Sequence, residues 1–450
     1  MNDAGAPGRI LRISGGMIVD PVAGTESLGD VLVADGKIAG LEVEGSTPAE
    51  EFAGAEVIDA RGLLVLPGAV DMRVHLREPG FEYKESIESG TRAAVAGGVT
   101  SVACMPNTKP VNDNAAVTRY ILERARMAAA ARVFPIGAVS VGLEGENLAE
   151  FAGMHEAGIV AVSDGGRVVA DAELMRRALE CVKLFDIPVI DHAEDASLAA
   201  GGLMHEGAVS LRLGLRGIPA EAEEVVVARD IALAQLTGGR LHIGHLSAAG
   251  SVRRIRAARA AGIRVTAEAS PHHLWLNDEA VGAYETNAKV SPPLRGEADR
   301  EALLEGLGDG TIDVIASDHA PHHRDEKDVE FESAKSGVVG LETLLPLTLR
   351  LVREGVMDRA TAISKVTSQP AEILGLGLGL MEVGREADLA LVDPEARWVV
   401  GGEEFLSKGR NTPFEGLELV GRTVMTIVRG NVVYELDSEQ SSGAARRRSA

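Results

Sequence analysis

The 450-residue chain is 45% hydrophobic and 25% charged, and its formal net charge is −22. This balance suits a globular chain with material for a large core, and it excludes a broad basic surface for nucleic acid. No run of 18 or more apolar residues occurs in the sequence, which excludes a transmembrane helix and any membrane-embedded role built on one.

The N-terminal MNDAGAPGRILR lacks a basic head followed by an apolar stretch, so no secretory signal is expected. From about residue 9 to 66 short alternating segments follow one another, with ADG and GK as turn signals, which is the texture of β-hairpins. The texture then changes. AVDMRVHL, VTSVACMP, RVFPIGAV, IVAVSDG, PVIDHAE, RLHIGHLS, RVTAEASPHH and IDVIASDHA are eight short strand candidates. Helical stretches such as ESIESGTRAAVAGG and EAEEVVVARDIALAQLTGG lie between them. Eight strands alternating with helices predict an α/β chain folded as a (β/α)8 barrel. Alternating segments return near the end in ADLALVDP and TVMTIVRGNVVYE, so a small β-sandwich domain built from both chain ends is expected. The expected divisions are 1–66 and 385–436 for the composite β domain, 67–384 for the barrel, and 437–450 for a small, polar, disordered tail. Cys104 and Cys181 sit in apolar contexts and read as buried thiols without a disulfide, which suits a cytoplasmic chain.

Residues with metal-ligand chemistry gather at one end of the predicted strands: His75, Asp164, His192, His245 and Asp318. In barrels of this kind the loops after the strands converge there. Neutral imidazoles and carboxylates are the donors that zinc takes, and a bridging carboxylate serves two ions. Asp164 suits a bridge, His192 and His245 suit a second ion, and Asp318 suits the first ion together with the shuttling of a proton to a leaving nitrogen. Strict alternation predicts Asp71, Arg73, His75 and Arg77 on one strand face and Met72, Val74 and Leu76 on the other. Arg73 has no lone pair to offer a cation.

HLREPG, EYKESIESGTRAAVAGGVTSVACMPNTKPVND, DHAED, GHLSAAGSV, SPPLR, IASDHAPH and SKGRNTPFEG occur in this order, and together they resemble the dihydroorotases of the cyclic amidohydrolase superfamily. The resemblance covers about residues 10–435. It implies reversible closure of N-carbamoyl-L-aspartate to L-dihydroorotate in pyrimidine biosynthesis, on zinc held by His75, Asp164, His192, His245 and Asp318. It also implies that Arg77, Asn107 and His322 contact substrate, the first two through its carboxylate. The bland alternatives are a structural ion pair for Arg77 and a turn role for Asn107. His319, His272 and His273 read as packing groups or as supports behind the ligands rather than ligands, and His155 and His205 as solvent-facing.

Two positions depart from the family pattern. Arg73 stands where His-x-His is usual, and Ser291 stands where Asn often precedes PPLR. Arg73 is expected to replace part of the first ion's charge, pairing with Asp71, Asp164 or Asp318. One ion is then held firmly by His192, His245 and Asp164. The alternatives are an impaired subunit that scaffolds aspartate transcarbamoylase, or a hydantoinase- or allantoinase-type enzyme. GIVAVSDGGR contains no Lys to serve as a carboxylated bridge, which favours the dihydroorotase reading over the latter. The family implies a homodimer or a complex with aspartate transcarbamoylase. The charged segment His323–Ser336 is expected to close over the site.

Overall fold

The computed structural model describes residues 10–43 and 54–437; the expected tail, apart from Asp437, lies outside the described residues, as does most of the N-terminal stretch read for a signal. Strands β1 (Leu11–Asp20), β2 (Thr25–Ala34), β3 (Lys37–Val43), β4 (Glu56–Asp59) and β5 (Leu64–Pro67) come first. Asp35 and Gly36 both adopt left-handed φ, 51° and 75°, which is what a two-residue hairpin between β2 and β3 demands.

The barrel strands follow as β6 (Ala69–Val74), β7 (Val99–Cys104), β8 (Arg132–Gly137), β9 (Ala161–Val162) and β10 (Val189–Asp191). A two-stranded insertion, β11 (Met204–His205) and β12 (Gly217–Ile218), precedes β13 (Leu241–Ile243), β14 (Val265–Ala269) and β15 (Val314–Ile315). All eight predicted strands are therefore present. Their pairing runs β6-β7-β8-β9-β10-β13-β14-β15 in parallel, and a parallel bridge between Val74 and His319 brings the two edges together.

The intervening helices start where the sequence supplies caps. The Ser86 side chain accepts from the Ser89 amide and opens Ile87–Ala96, Asn114 opens Ala115–Ala128, and Asp171 opens Ala172–Val182. Gly238 ends Glu221–Thr237 in left-handed geometry. Outward residues such as Val74, Val102, Val162, Val189 and Ile243 pack under these helices. Met72, Ala103, Ile136, Ala161, Ile190 and Ala316 form a separate apolar cluster inside the barrel, joined by Ile373 and Leu374.

The chain ends meet in one sheet. Strands β16 (Leu389–Val399), β17 (Glu418–Val428) and β18 (Asn431–Glu435) continue it in the order β18-β17-β16-β5-β1-β2-β3, with β4 on β1. Its own core includes Leu11, Ile13, Val31, Val65, Leu389 and Ile427. The Thr426 hydroxyl donates to the Val95 carbonyl at 2.6 Å and ties this sheet to the first barrel helix.

Candidate active site at the barrel rim

The segment after β5 builds one side of the rim. Asp71 pairs with Val102 and Val74 with Cys104, so β6 carries one residue more than β7 over this interval. The irregularity breaks the expected alternation. Met72 joins the inner cluster, whereas Val74 and Leu76 join the outer one.

Arg73 still points inward and is 1% exposed. Its Nε donates to Glu268 of β14, and its Nη2 has no partner among the described residues. None of the expected carboxylates takes the guanidinium. Asp71 instead accepts the backbone N–H of Arg73 at 3.2 Å and that of Ser317 at 3.2 Å. The physical reason is strand order: β15 joins β6 across the barrel seam, so β14 lies two strands away and within reach of a long side chain crossing the interior. Glu268 also accepts the His245 backbone N–H at 3.2 Å and lies 3.2 Å from His242 Nε2. Burial alone would raise its pKa, but the Arg73 charge and the His242 contact bring it down to about 2. Glu268 was legible in principle, since VTAEAS places a carboxylate on the inward parity of the seventh strand.

His75 lies just beyond β6. Its Nδ1 is 2.8 Å from Asn107 Oδ1, and its Nε2 is 4.0 Å from Asp318 Oδ1. Asn107 accepts the Nδ1 proton, which leaves the Nε2 lone pair facing Asp318. Here Asn107 orients a histidine. Asp318 has a left-handed φ of 51°, held between the Ser317–Asp71 bond and the His75 amide donating to the His319 carbonyl at 2.8 Å. Burial pushes Asp318 up to about 7; the Arg73 charge opposes this, while Glu268 and Asp71 add to it. His319 accepts the Gly340 N–H on Nδ1 and sets Nε2 3.4 Å from Glu85.

The opposite side of the rim is arranged differently. His192 Nδ1 and His245 Nε2 face each other at 2.8 Å, and His245 Nδ1 is buried without a partner among the described residues. His192 Nε2 lies 3.8 Å from Glu194 Oε1. Ser291 Oγ donates to the same oxygen at 3.4 Å, and Glu194 Oε2 has no partner among the described residues. Burial alone would raise the Glu194 pKa, but the contacts with His192 and Ser291 and the Arg295 charge hold it below the usual range.

Asp164 is held by other partners. It accepts from the Val139 and Ser140 amides at 2.9 Å each and from the Ser140 hydroxyl. Burial raises its pKa against those bonds. Among the described residues no three His, Cys, Asp or Glu side chains are gathered as a ready metal cage. The two histidines nevertheless fit an ion. Zn–N bonds of about 2.0–2.1 Å in tetrahedral geometry put two nitrogens about 3.3 Å apart, a modest opening of the present pair.

Arg77, at a left-handed φ of 62°, donates through Nε to the Pro321 carbonyl at 3.2 Å, and its Nη2 is 3.4 Å from His322 Nε2. Burial lowers Arg77 to about 10. His322 is held by the segment expected to close over the site: Nε2 donates to the Ser336 carbonyl at 2.9 Å, and Nδ1 is 3.2 Å from Glu326. Burial, with the charges of Arg77 and Lys84, lowers His322 to about 3. A cavity of about 470 Å³ adjoins this segment, lined by Tyr284, Asn287, His322, Lys327 and Asn411 among others.

Four other histidines are settled by their contacts. His272 and His273 are buried packing groups. His155 and His205 are half-buried rather than solvent-facing, because His155 stacks on Phe185 and His205 lies 3.4 Å from an Arg295 nitrogen. Cys181 is only partly buried, and both cysteines are free.

A family model described as dihydro-orotase-like matches residues 62–251. The dihydroorotase of Syntrophotalea carbinolica is 54% identical over 426 residues, covering 95% of this chain and 99% of that protein. The dihydroorotase of Pelotomaculum thermopropionicum is 55% identical over 426 residues, covering 94% and 98%. Among solved structures, an L-hydantoinase from Arthrobacter aurescens superposes with a TM-score of 0.84 at 26% identity, covering 94% of this chain and 96% of that one. A dihydropyrimidinase from Brevibacillus agri gives 0.80 at 25%, covering 95% of each chain.

Proposed function

The chain belongs to the dihydroorotase family of cyclic amide hydrolases, and from that premise we propose that it interconverts N-carbamoyl-L-aspartate and L-dihydroorotate in pyrimidine biosynthesis. The observation that carries this reading is likeness along nearly the whole chain to proteins named dihydroorotase. The family is metal-dependent. The reading gives this chain one zinc ion, held by His192 and His245 with Asp164 as the carboxylate donor; Asp164 has to leave Ser140 to join them. A bound divalent ion supplies hydroxide at neutral pH by acidifying its water.

The remaining work falls to the chain's own groups. Arg77 binds the substrate carboxylate through its planar fork, next to His322. Asp318, raised to about 7, holds or releases a proton near neutral pH. Asn107 keeps His75 oriented with its Nε2 lone pair toward Asp318. Arg73 stands as a fixed cation on the first-strand side, already neutralised by Glu268.

That neutralised pair also favours a second reading, an impaired subunit that acts as a partner of aspartate transcarbamoylase. One experiment separates the two. Purified chain with added zinc is assayed for loss of dihydroorotate absorbance, and bound zinc is counted in parallel. Turnover with one ion per chain supports the proposal, and a folded chain without turnover supports the second reading. Two ions per chain at full occupancy overturns the single-ion assignment.

A further inference from the structure

We propose that Glu194 is a positioning residue that fixes the tautomer of His192, keeping the Nδ1 lone pair directed into the rim. The inference rests on the reading of His192 and His245 as the cation seat and extends it to a residue outside that seat.

The 2.8 Å contact between His192 Nδ1 and His245 Nε2 permits two arrangements of one shared proton. In the first, His192 donates from Nδ1. Its Nε2 lone pair then faces the Glu194 carboxylate 3.8 Å away, lone pair against anion. His245, accepting on Nε2, must carry its own proton on Nδ1, and that buried nitrogen has no acceptor among the described residues. An unpaired buried N–H costs on the order of 1–3 kcal/mol.

In the second arrangement, His245 donates from Nε2 and His192 accepts on Nδ1. The His192 proton then sits on Nε2, toward the carboxylate, and His245 Nδ1 carries a bare lone pair. The lone pair no longer faces the carboxylate, while His245 Nδ1 stays unpaired in either arrangement, so the contact with Glu194 decides between them. Among the described residues Glu194 is the carboxylate within ion-pair distance of the His192 ring, on its Nε2 side, and its side chain is 13% exposed, so water screens the effect little. Ser291 touches the same carboxylate oxygen at 3.4 Å and holds it on the His192 side. A carboxylate behind a ligating imidazole fixes its tautomer and raises its basicity as a donor.

The test uses the full chain without metal, with ¹⁵N-labelled histidine. The His192 signal is identified by its disappearance in His192→Gln. The proton is expected on Nε2 in the wild type and spread over both nitrogens in Glu194→Ala. Zinc affinity, measured by chelator competition, is expected to fall 10–100-fold in Glu194→Ala and less in Glu194→Gln, which keeps an acceptor oxygen. Circular dichroism confirms that each variant is folded. A wild-type proton on Nδ1, or a Glu194→Ala chain with unchanged tautomer and zinc affinity, overturns the proposal. If the tautomer follows Glu194 but the wild type binds no zinc, the positioning role stands and the cation seat falls.

Discussion

Two sides of one barrel rim treat charge in opposite ways. On the β6 side, Arg73 enters the interior and meets Glu268, so a cation and an anion close on each other with side chains 1% and 0% exposed. Across the rim, His192 and His245 turn nitrogens toward each other, and Glu194 Oε2 and His245 Nδ1 are left over. The first side is a closed ion pair, with Arg73 Nη2 its one donor left unpaired among the atoms of that pair. The second has unspent donor capacity, which is what a site prepared for a cation looks like. The contrast shows how Arg73 and Glu268 close one half of the rim while the histidine pair of the other half keeps nitrogens free.

The sharpest way to break this contrast is to remove one member from each side. Glu268→Gln leaves Arg73 buried and uncompensated, and such a loss costs about 3–5 kcal/mol. His245→Gln removes a neutral contact, at about 1 kcal/mol, while abolishing zinc binding. Urea denaturation of the metal-free variants measures both. Equal losses of stability would mean that the two sides do not differ as described.

Asp71 reports the state of the β6 side through pH. Burial raises its pKa from 3.8 to about 7, partly offset by its bonds to Ser317 and Arg73, while the Glu268 charge pushes it higher. The folded carboxyl therefore binds its proton more tightly than the unfolded one. Between 3.8 and about 7 the native state carries the extra proton, so this contribution to stability is lost as pH rises through that window. From pH 5.5 to 8 the loss is about 2 kcal/mol at 1.36 kcal/mol per pH unit. Asp71→Asn keeps an acceptor for the two amides and removes the titration. Its stability relative to wild type is expected to improve as pH rises over that range, checked by thermal unfolding of the metal-free chain at both ends. A pH-independent difference would show that Asp71 is ionised in the native state.

Arg77 sharpens the comparison within one segment, four residues beyond Arg73. It meets a carbonyl and a histidine, with no carboxylate paired to it among the described residues, and it stays half-buried. One arginine is spent on the fold and the other is available to a ligand. Arg77→Lys keeps the charge but loses the fork, and KM is expected to rise about tenfold, equivalent to about 1.4 kcal/mol, with kcat and stability nearly unchanged. Steady-state kinetics on dihydroorotate checks this. A fall in kcat with constant KM would move Arg77 from carboxylate binding to the chemical step.

The sequence made the barrel legible because each strand pattern is local: eight apolar runs, Gly-punctuated, separated by capped helices. The strand-end location of His75, His192, His245 and Asp318 was equally local. The partner of Arg73 was not, because Glu268 is 195 residues away and only the closure of the sheet brings β14 within reach. The β6 irregularity that turns Met72 inward depends on pairing with β7, which no single-strand pattern contains. The bonds that hold Asp164 were hidden for a similar reason. Ser140 and two amides at the end of β8 compete for it, and nothing in AVSDGG announces those donors.

Gly244 makes the smallest expected effect and the most specific one. A Cβ at this position would lie 1.8 Å from Arg73 Nη2, so the missing side chain is the slot that the guanidinium occupies. The backbone there is not in the left-handed region, so alanine is not strained in itself. Glu268 anchors Nε, but Nη2 has no partner among the described residues and can tilt out of the slot, which puts the cost of Gly244→Ala at about 1 kcal/mol, the low end for overpacking. Replacing Gly by Ala also restricts the unfolded chain and stabilises by about 0.4–1 kcal/mol where the site has room. In an Arg73→Met, Glu268→Gln background the slot is free of charge and the methionine chain is flexible. Gly244→Ala is then expected to change sign, from destabilising to neutral or stabilising, a coupling that a double-mutant cycle by urea denaturation reads directly. The same cost in both backgrounds would mean that the glycine answers to the strand and not to Arg73, and the closed charge pair would lose its seat.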